Sequence, residues 1–331
     1  MAISMIPPEG ADQFIAAAGW EGAEIVPLAG DASFRRYFRV VRGEESAVLM
    51  DAPPPHEDPR PFISIAEHLT GQGFSAPEIY ARDLDRGLVL IEDFGSERMR
   101  EAIGLFPTQE RAIYEGVTDL LVELHKQKAA PVRAYDAQEY HRETALFTEW
   151  YCPAVGLDDV DIDGFVAAWD EVLAPVIEQQ KLPVTVLRDY HAENIMLLPD
   201  RRAHARWGLL DFQDALAGHP AYDLVSILED ARRDVPVEIE TAMIDRYCTA
   251  RGCGDEFRNA YWVLGAQRNT KIIGIFTRLS KRDGKHHYLD FLPRMWGLLE
   301  RDLAQPVIAP VARWFDTNVP QGKRAAHWSK G

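Results

Sequence analysis

The chain has 331 residues, of which 47% are hydrophobic and 27% charged, a balance that excludes a wholly disordered protein and leaves room for about two domains. Thirty-six Lys+Arg stand against 52 Asp+Glu, a formal net charge of −16, which argues against a protein that tracks nucleic acid or an anionic membrane by bulk electrostatics. The run from Met1 to Phe14 has no basic residue, no segment approaches the roughly 18 apolar residues of a membrane span, and Cys152, Cys248 and Cys253 fit neither a disulfide framework nor a zinc site. The expectation is a cytoplasmic monomer with reduced thiols and a small-molecule partner.

In chain order, a short helix is expected over 11–19 and strands over 24–28, 37–41 and 47–50, with turn chemistry at Gly30-Asp31 and Gly43-Glu44. A helix over 59–70 is closed by Gly71, and strands follow over 78–81 and 88–91. Residues 1–94 thus read as a small β-rich lobe with one main helix. Beyond them, residues 95–331 read as a larger, mainly helical lobe. Ile113, Val117, Leu120, Leu121 and Leu124 share one helix face, and Phe165, Trp169, Val172, Leu173 and Val176 share another. Further helices are expected over 221–232, 239–250, 256–280 and 288–304, and short strands over 184–187, 195–198 and 207–210. From Val311 onward the chain reads as a loose tail.

Charge is uneven. Residues 143–180 hold nine acids and no Lys or Arg, whereas Arg278 to Gly331 holds ten Lys+Arg and five acids. Both read as solvated helix faces. Asp159-Val-Asp-Ile-Asp-Gly164 resembles the opening of a calcium loop. The helical face beginning at Phe165 starts too early for that, so a helix N-cap at Asp161 or Asp163 is the simpler reading. His286-His287 reads as a surface pair.

The residues that carry chemistry lie in two stretches. Asp189 is followed five residues on by Asn194, and Asp211 ends the apolar run Leu209-Leu210 ahead of Phe212. A hairpin through Pro199-Asp200-Arg201 brings Asn194 back beside Asp211. Phosphoryl transfer asks for these types. A divalent metal carried with a triphosphate wants hard oxygen ligands, which the Asp211 carboxylate and the Asn194 amide supply. Asp189 is then placed to take the proton of an incoming hydroxyl and aim its oxygen.

Over about residues 25–300 the chain resembles the aminoglycoside phosphotransferase and choline kinase-like family. That family's catalytic loop reads H-G-D-x-x-x-x-N, followed by I-D-[WF] and G-D-P-x-x-D-L. Here the matching residues are Leu187-Arg188-Asp189, Leu210-Asp211-Phe212 and Gly218-His-Pro-Ala-Tyr-Asp223-Leu. The resemblance implies an α+β, two-lobed protein-kinase-like fold, with ATP and magnesium as co-substrates. It makes Asp189 catalytic and Asn194 and Asp211 the metal ligands, with Asp223 bracing the catalytic loop. Gly30, Asp31, Ala32 and Ser33 would form the turn over the phosphates. Glu92 to Phe94 would form the hinge against an adenine edge, and Glu67 would be the small-lobe helix acid.

The phrases around Asp31 and Gln213 resemble a branch that phosphorylates the anomeric hydroxyl of amino sugars, N-acetylmuramate or N-acetylglucosamine, in cell-wall recycling. Two departures stand out. No Lys or Arg lies between Glu44 and His56, where the family lysine would fall near Met50. Arg35, Arg36 or Arg39 could replace it, one of them oriented by Glu67, with Arg36 included among the nucleotide-binding candidates; the alternatives are that metal and backbone amides suffice or that nucleotide binding is impaired. Leu187-Arg188 also stands where the family has His-Gly. Candidate acceptor contacts are His191, Gln213, Trp150 and Tyr151. Other readings are an aminoglycoside or a choline- or homoserine-type kinase, suited by the acidic 143–180 segment, and a non-catalytic binding module suggested by the missing lysine.

Overall fold

The structure, a computed structural model, describes residues 6–28 and 35–324, so the Gly30–Ser33 turn lies outside the described residues. In chain order the elements begin with α1 (Ala11–Ile15), continued by one π turn, and β1 (Glu24–Pro27), β2 (Arg36–Arg42) and β3 (Glu45–Asp51). Next come α2 (Arg60–Gly71), β4 (Ile79–Asp83), β5 (Leu88–Glu92) and α3 (Met99–Leu105). Helices α4 (Glu110–Leu124), α5 (Ala137–Leu146), the single turn α6 (Cys152–Ala154) and α7 (Ile162–Gln179) follow. Strands β6 (Val184–Val186), β7 (Ile195–Leu197), β8 (Trp207–Leu209) and β9 (Leu216–Gly218) precede the last helices. Those are α8 (Ala221–Leu228), α9 (Val237–Arg251), α10 (Asp255–Asp283), α11 (Leu292–Leu303) and α12 (Ala309–Asn318). The class is α+β, as the sequence implied, and no described helix is long and apolar enough to cross a membrane.

The chain divides into two compact units, residues 1–113 with 192–215, and residues 114–191 with 216–331. In the first, five antiparallel strands lie in the order β1-β2-β3-β5-β4. Strand alternation sorts their side chains. Phe38, Val40, Ala47, Leu49, Leu88 and Leu90 form one apolar face that packs with Ala11 and Ile15 of α1. Helix α2 buries Phe62, Ile63, Ile65, Ala66 and Leu69, spaced as one helical stripe.

The β7–β8 hairpin belongs to this unit for a hydrogen-bonding reason. The Leu209 amide donates to the Ser75 carbonyl at 2.7 Å, and the Leu197 amide donates to the Glu97 carbonyl at 2.7 Å. This division differs from the single boundary expected after residue 94, because the hairpin's backbone is satisfied by earlier segments of the chain.

The second unit is built around α10, 29 residues long and packed against α5, α8 and α11. At its crossing with the end of α5, a Cβ on Gly274 would stand 2.4 Å from the Leu146 carbonyl carbon. Only glycine allows that approach. Asp161 caps α7 by accepting from the Gly164 amide at 2.8 Å, the cap read from the acidic run.

The expected loose tail is corrected as far as residue 324. Val311 and Phe315 of α12 are fully buried, and Trp314 Nε1 donates to the Asp161 carbonyl at 2.6 Å. Apolar residues at i, i+3 and i+4 were enough to dock this segment.

Candidate active site

Within the second unit, the loop after β6 carries Asp189. The Asp223 carboxylate, wholly buried on α8, accepts from the Leu187 amide at 2.7 Å and from the Arg188 amide at 2.9 Å. Burial lifts the Asp223 carboxyl to about 7, while the two amides pull the other way. Arg188 has a positive φ of 70°, a conformation that costs a non-glycine residue about 1–3 kcal/mol. Its guanidinium pairs with Glu143, which is fully buried on α5. Glu143 also accepts from Tyr135, from Gln267 at 3.0 Å and from Lys271 Nζ at 2.8 Å. Burial alone would raise the Glu143 carboxyl, yet Lys271 and Arg188 bring it down to about 2. Asp189 is therefore the neighbour of a residue held at both its amide and its side chain.

In the first unit, β7 and β8 pair Ile195 with Leu209, and the Leu210 amide donates to the Asn194 carbonyl at 3.0 Å. This is the hairpin expected from the two strand runs and the turn between them. It sets Asn194 Nδ2 3.4 Å from Asp211 Oδ2. Asp211 is exposed and has a φ of 58°, a left-handed conformation that Asp adopts more readily than most side chains. Behind it, Phe212 is fully buried and stacks on Phe62 of α2 with centroids 5.0 Å apart. Gln213 Nε2 donates to Asp211 Oδ1 at 2.7 Å, so Gln213 steadies this carboxylate. A carboxylate beside an amide fits a hard divalent cation that keeps water and phosphate oxygens as its other ligands.

Other candidates fall differently from expectation. Glu67 does not orient an arginine of β2. It projects from the exposed side of α2 and takes Arg82 of β4 at 3.0 Å, because the buried stripe of that helix faces the other way. Arg36 lies on the α1 side of the sheet, paired with Asp51 at 2.8 Å and with the Ile6 carbonyl at 3.2 Å. At the hinge, Glu92 binds Arg201, whose guanidinium lies 5.3 Å from the Phe94 ring centroid.

Tyr151 is a core residue. It is fully buried, stacked on Phe147 at 5.0 Å, and donates to the Lys323 carbonyl at 2.6 Å. Trp150 is half-buried in the π turn Phe147–Tyr151 that continues α5. His191 is buried with Nε2 3.3 Å from Arg232 Nη1. Burial, outweighing Asp230, lowers it to about 3, so this ring is neutral and accepts from the guanidinium. A cavity of about 360 Å³ between α7, α10 and α12 contains none of these residues.

Sequence reasoning missed the Glu143–Arg188–Lys271 cluster and the pairing of Arg35 with Glu57. Arg188 in place of glycine was the one available signal for the first. Glu57 sits in a proline-rich segment without periodicity, and nothing marked it.

Comparison with known proteins places the chain among kinases and phosphotransferases. The chain is 37% identical to an N-acetylmuramate/N-acetylglucosamine kinase of Caulobacter vibrioides, over 93% of this chain and 95% of that one. Three further curated relatives, at 34–36% identity, carry the same name. A choline/ethanolamine kinase family protein from Mesorhizobium loti superposes with a TM-score of 0.61 at 12% identity, covering 91% of this chain and 95% of that one. An aminoglycoside phosphotransferase solved with streptomycin and ATP superposes with a TM-score of 0.57 at 15% identity, covering 81% and 90%. The family model described as the phosphotransferase enzyme family matches residues 24–258. That match spans the sheet, the Asp189 loop, the Asn194–Asp211 hairpin and the Asp223 brace, and the chain belongs to the phosphotransferase enzyme family.

Proposed function

We propose that this chain is a sugar kinase. It transfers the terminal phosphoryl group of ATP, carried with magnesium, to the anomeric hydroxyl of N-acetylmuramate or N-acetylglucosamine. The observation that carries the reading is the hairpin pairing of the Asn194 amide with the Asp211 carboxylate, with Asn194 five residues downstream of Asp189 on its braced loop. The shared name of the four curated relatives supports the acceptor.

Asp189 accepts the proton of the acceptor hydroxyl and aims its oxygen along the line of transfer. An anomeric hydroxyl is more acidic than an ordinary alcohol, so orientation is the larger part of this task and the proton moves late. Asp223 and Glu143 fix the backbone and side chain of Arg188, which presets the direction of the next residue. Asn194 and Asp211 would hold the magnesium, which when bound would neutralise charge on the phosphoryl oxygens. Gln213 keeps one Asp211 oxygen in place, and the backbone near Glu92–Phe94 meets the adenine. Use of ATP fits a cytoplasmic location.

Label transfer from γ-labelled ATP to amino sugars, aminoglycosides and choline tests the acceptor. The expected product from N-acetylglucosamine is a phosphate whose ³¹P signal couples to the anomeric proton. Transfer to aminoglycosides or choline but not to the sugars replaces the acceptor. Nucleotide binding with no transfer to any of them favours a binding module instead.

A further inference from the structure

Helix α9 ends on a glycine, and the turn that follows brings two cysteines together. Gly252 has a φ of 66°, the left-handed conformation that closes many helices. Its amide donates to the Cys248 carbonyl, and the Cys253 amide donates to the same carbonyl at 3.1 Å. A helix end closed in this way sets the side chain just past the glycine against one in the last turn, a contact that apolar residues commonly fill. Here two reduced cysteines fill it, and their thiols share a side-chain hydrogen bond. A disulfide asks for two Cα atoms held close with converging side chains, and the bond from the Cys253 amide to the Cys248 carbonyl draws these two together.

The two sulfurs differ in reach. Cys248 is only 4% exposed, while Cys253 is half-buried. Burial, and next the neighbouring thiol, push the Cys248 thiol up to about 12, with Arg258 of α10 pulling the other way. Cys248 therefore stays protonated at neutral pH and is a poor first nucleophile, and Cys253 is the sulfur that a small oxidant can reach. A sulfenic acid formed at Cys253 lies beside a second thiol, the arrangement of an attacking and a resolving cysteine.

We propose that Cys248 and Cys253 are a redox modification site, closing to an intramolecular disulfide when a hydroperoxide reaches the chain. With hydrogen peroxide, the Cys253 thiolate attacks one oxygen and the O–O bond breaks. The hydroxide that leaves takes up the proton the thiol had released. The Cys248 sulfur then attacks the Cys253 sulfenic sulfur and the S–O bond breaks, hydroxide departing as water with the Cys248 proton. Two thiols and one hydrogen peroxide give one disulfide and two waters. The site lies at the α9–α10 junction and does not depend on the kinase reading.

Peptide mapping of the full chain after exposure to hydrogen peroxide, with alkylation under denaturing conditions, tests it. Trypsin cleaves after Arg246, Arg251 and Arg258, so the disulfide should join residues 247–251 to residues 252–258 in a species that dithiothreitol splits. Free thiols should fall from three to one, with the fully buried Cys152 as the one alkylated, and the chain should run as a monomer on a non-reducing denaturing gel. Cys248→Ala should leave a sulfenic acid at Cys253 that dimedone traps, and Cys152→Ala should give the linked peptides in wild-type yield. Three retained thiols in the wild type overturn the proposal. So does Cys253 carried to sulfinic acid without the linked species, a linkage that includes Cys152, or a disulfide found only between two chains.

Discussion

The loop that carries Asp189 and the hairpin end that carries Asp211 are held by different physics. The first is fixed by buried charge. Asp223 takes two consecutive amides, and Arg188 is tied to Glu143, which Lys271, Gln267 and Tyr135 also engage. The second is fixed by short strand pairing and one aromatic stack, Phe62 on Phe212, with its carboxylate exposed. A group that must aim an acceptor gains from a rigid surround, because small errors of direction are costly. A group that must admit phosphate and water oxygens beside it gains from openness. Both positions use a left-handed backbone on a non-glycine residue, Arg188 and Asp211, and among the described residues only Ala203 shares that feature.

Substitutions should separate the two modes. Asp211→Ala removes an exposed charge, so the melting temperature should hold while turnover falls by about a thousandfold or more, the several kcal/mol of a lost metal ligand. A stability loss comparable to that of core variants would contradict the open description. Glu143→Gln should do the reverse. It leaves Arg188 and Lys271 facing each other without their shared carboxylate, and denaturant unfolding should show a loss of about 3–5 kcal/mol.

The same residue sets an acid limit. A carboxyl held at about 2, below its ordinary 4.5, stabilises the fold above pH ~4.5 and loses that contribution as the pH falls toward 2. The variant's stability should therefore vary less than the wild type's across that window. Asp223→Asn should cost about 1.5–3 kcal/mol and lower kcat while the KM for nucleotide stays constant. Equal changes in kcat and nucleotide KM would mean that the brace serves more than the Asp189 loop. Gly274→Ala, a packing change remote in sequence from either loop, should cost about 1–3 kcal/mol. Its kcat at a permissive temperature should match the wild type.

Much of this was legible in the sequence where local physics decides. Short apolar runs bounded by turn residues located all five strands of the sheet; β3 and β5, at its centre, are apolar almost throughout because both of their faces are buried. Two short strand runs and the turn at Pro199-Asp200-Arg201 made the hairpin between Asn194 and Asp211 legible, and a cap at Asp161 or Asp163 was legible because the helical face begins at Phe165. Helix α5 could be given no bounds because its inward face carries Glu139, Tyr140 and Glu143, which hides the apolar period. Strand β9 was missed because Leu216-Ala217-Gly218 carries one large apolar residue and no β-branched one. Partner choice was the least legible. Glu67 was expected to face β2 and instead turns to Arg82, while Glu57 takes Arg35 from an irregular segment. Such pairings depend on which side of an element packs, and the residue types alone do not carry that information.

The division of labour between the two loops is tested most directly by Asp189→Ala, assayed for turnover with N-acetylglucosamine and for MgADP affinity on the same preparation. Turnover should fall by about a hundredfold to ten-thousandfold, the range of a lost general base, with MgADP affinity and melting temperature unchanged. Near-normal turnover, or a fall in nucleotide affinity that matches the fall in turnover, would contradict the account.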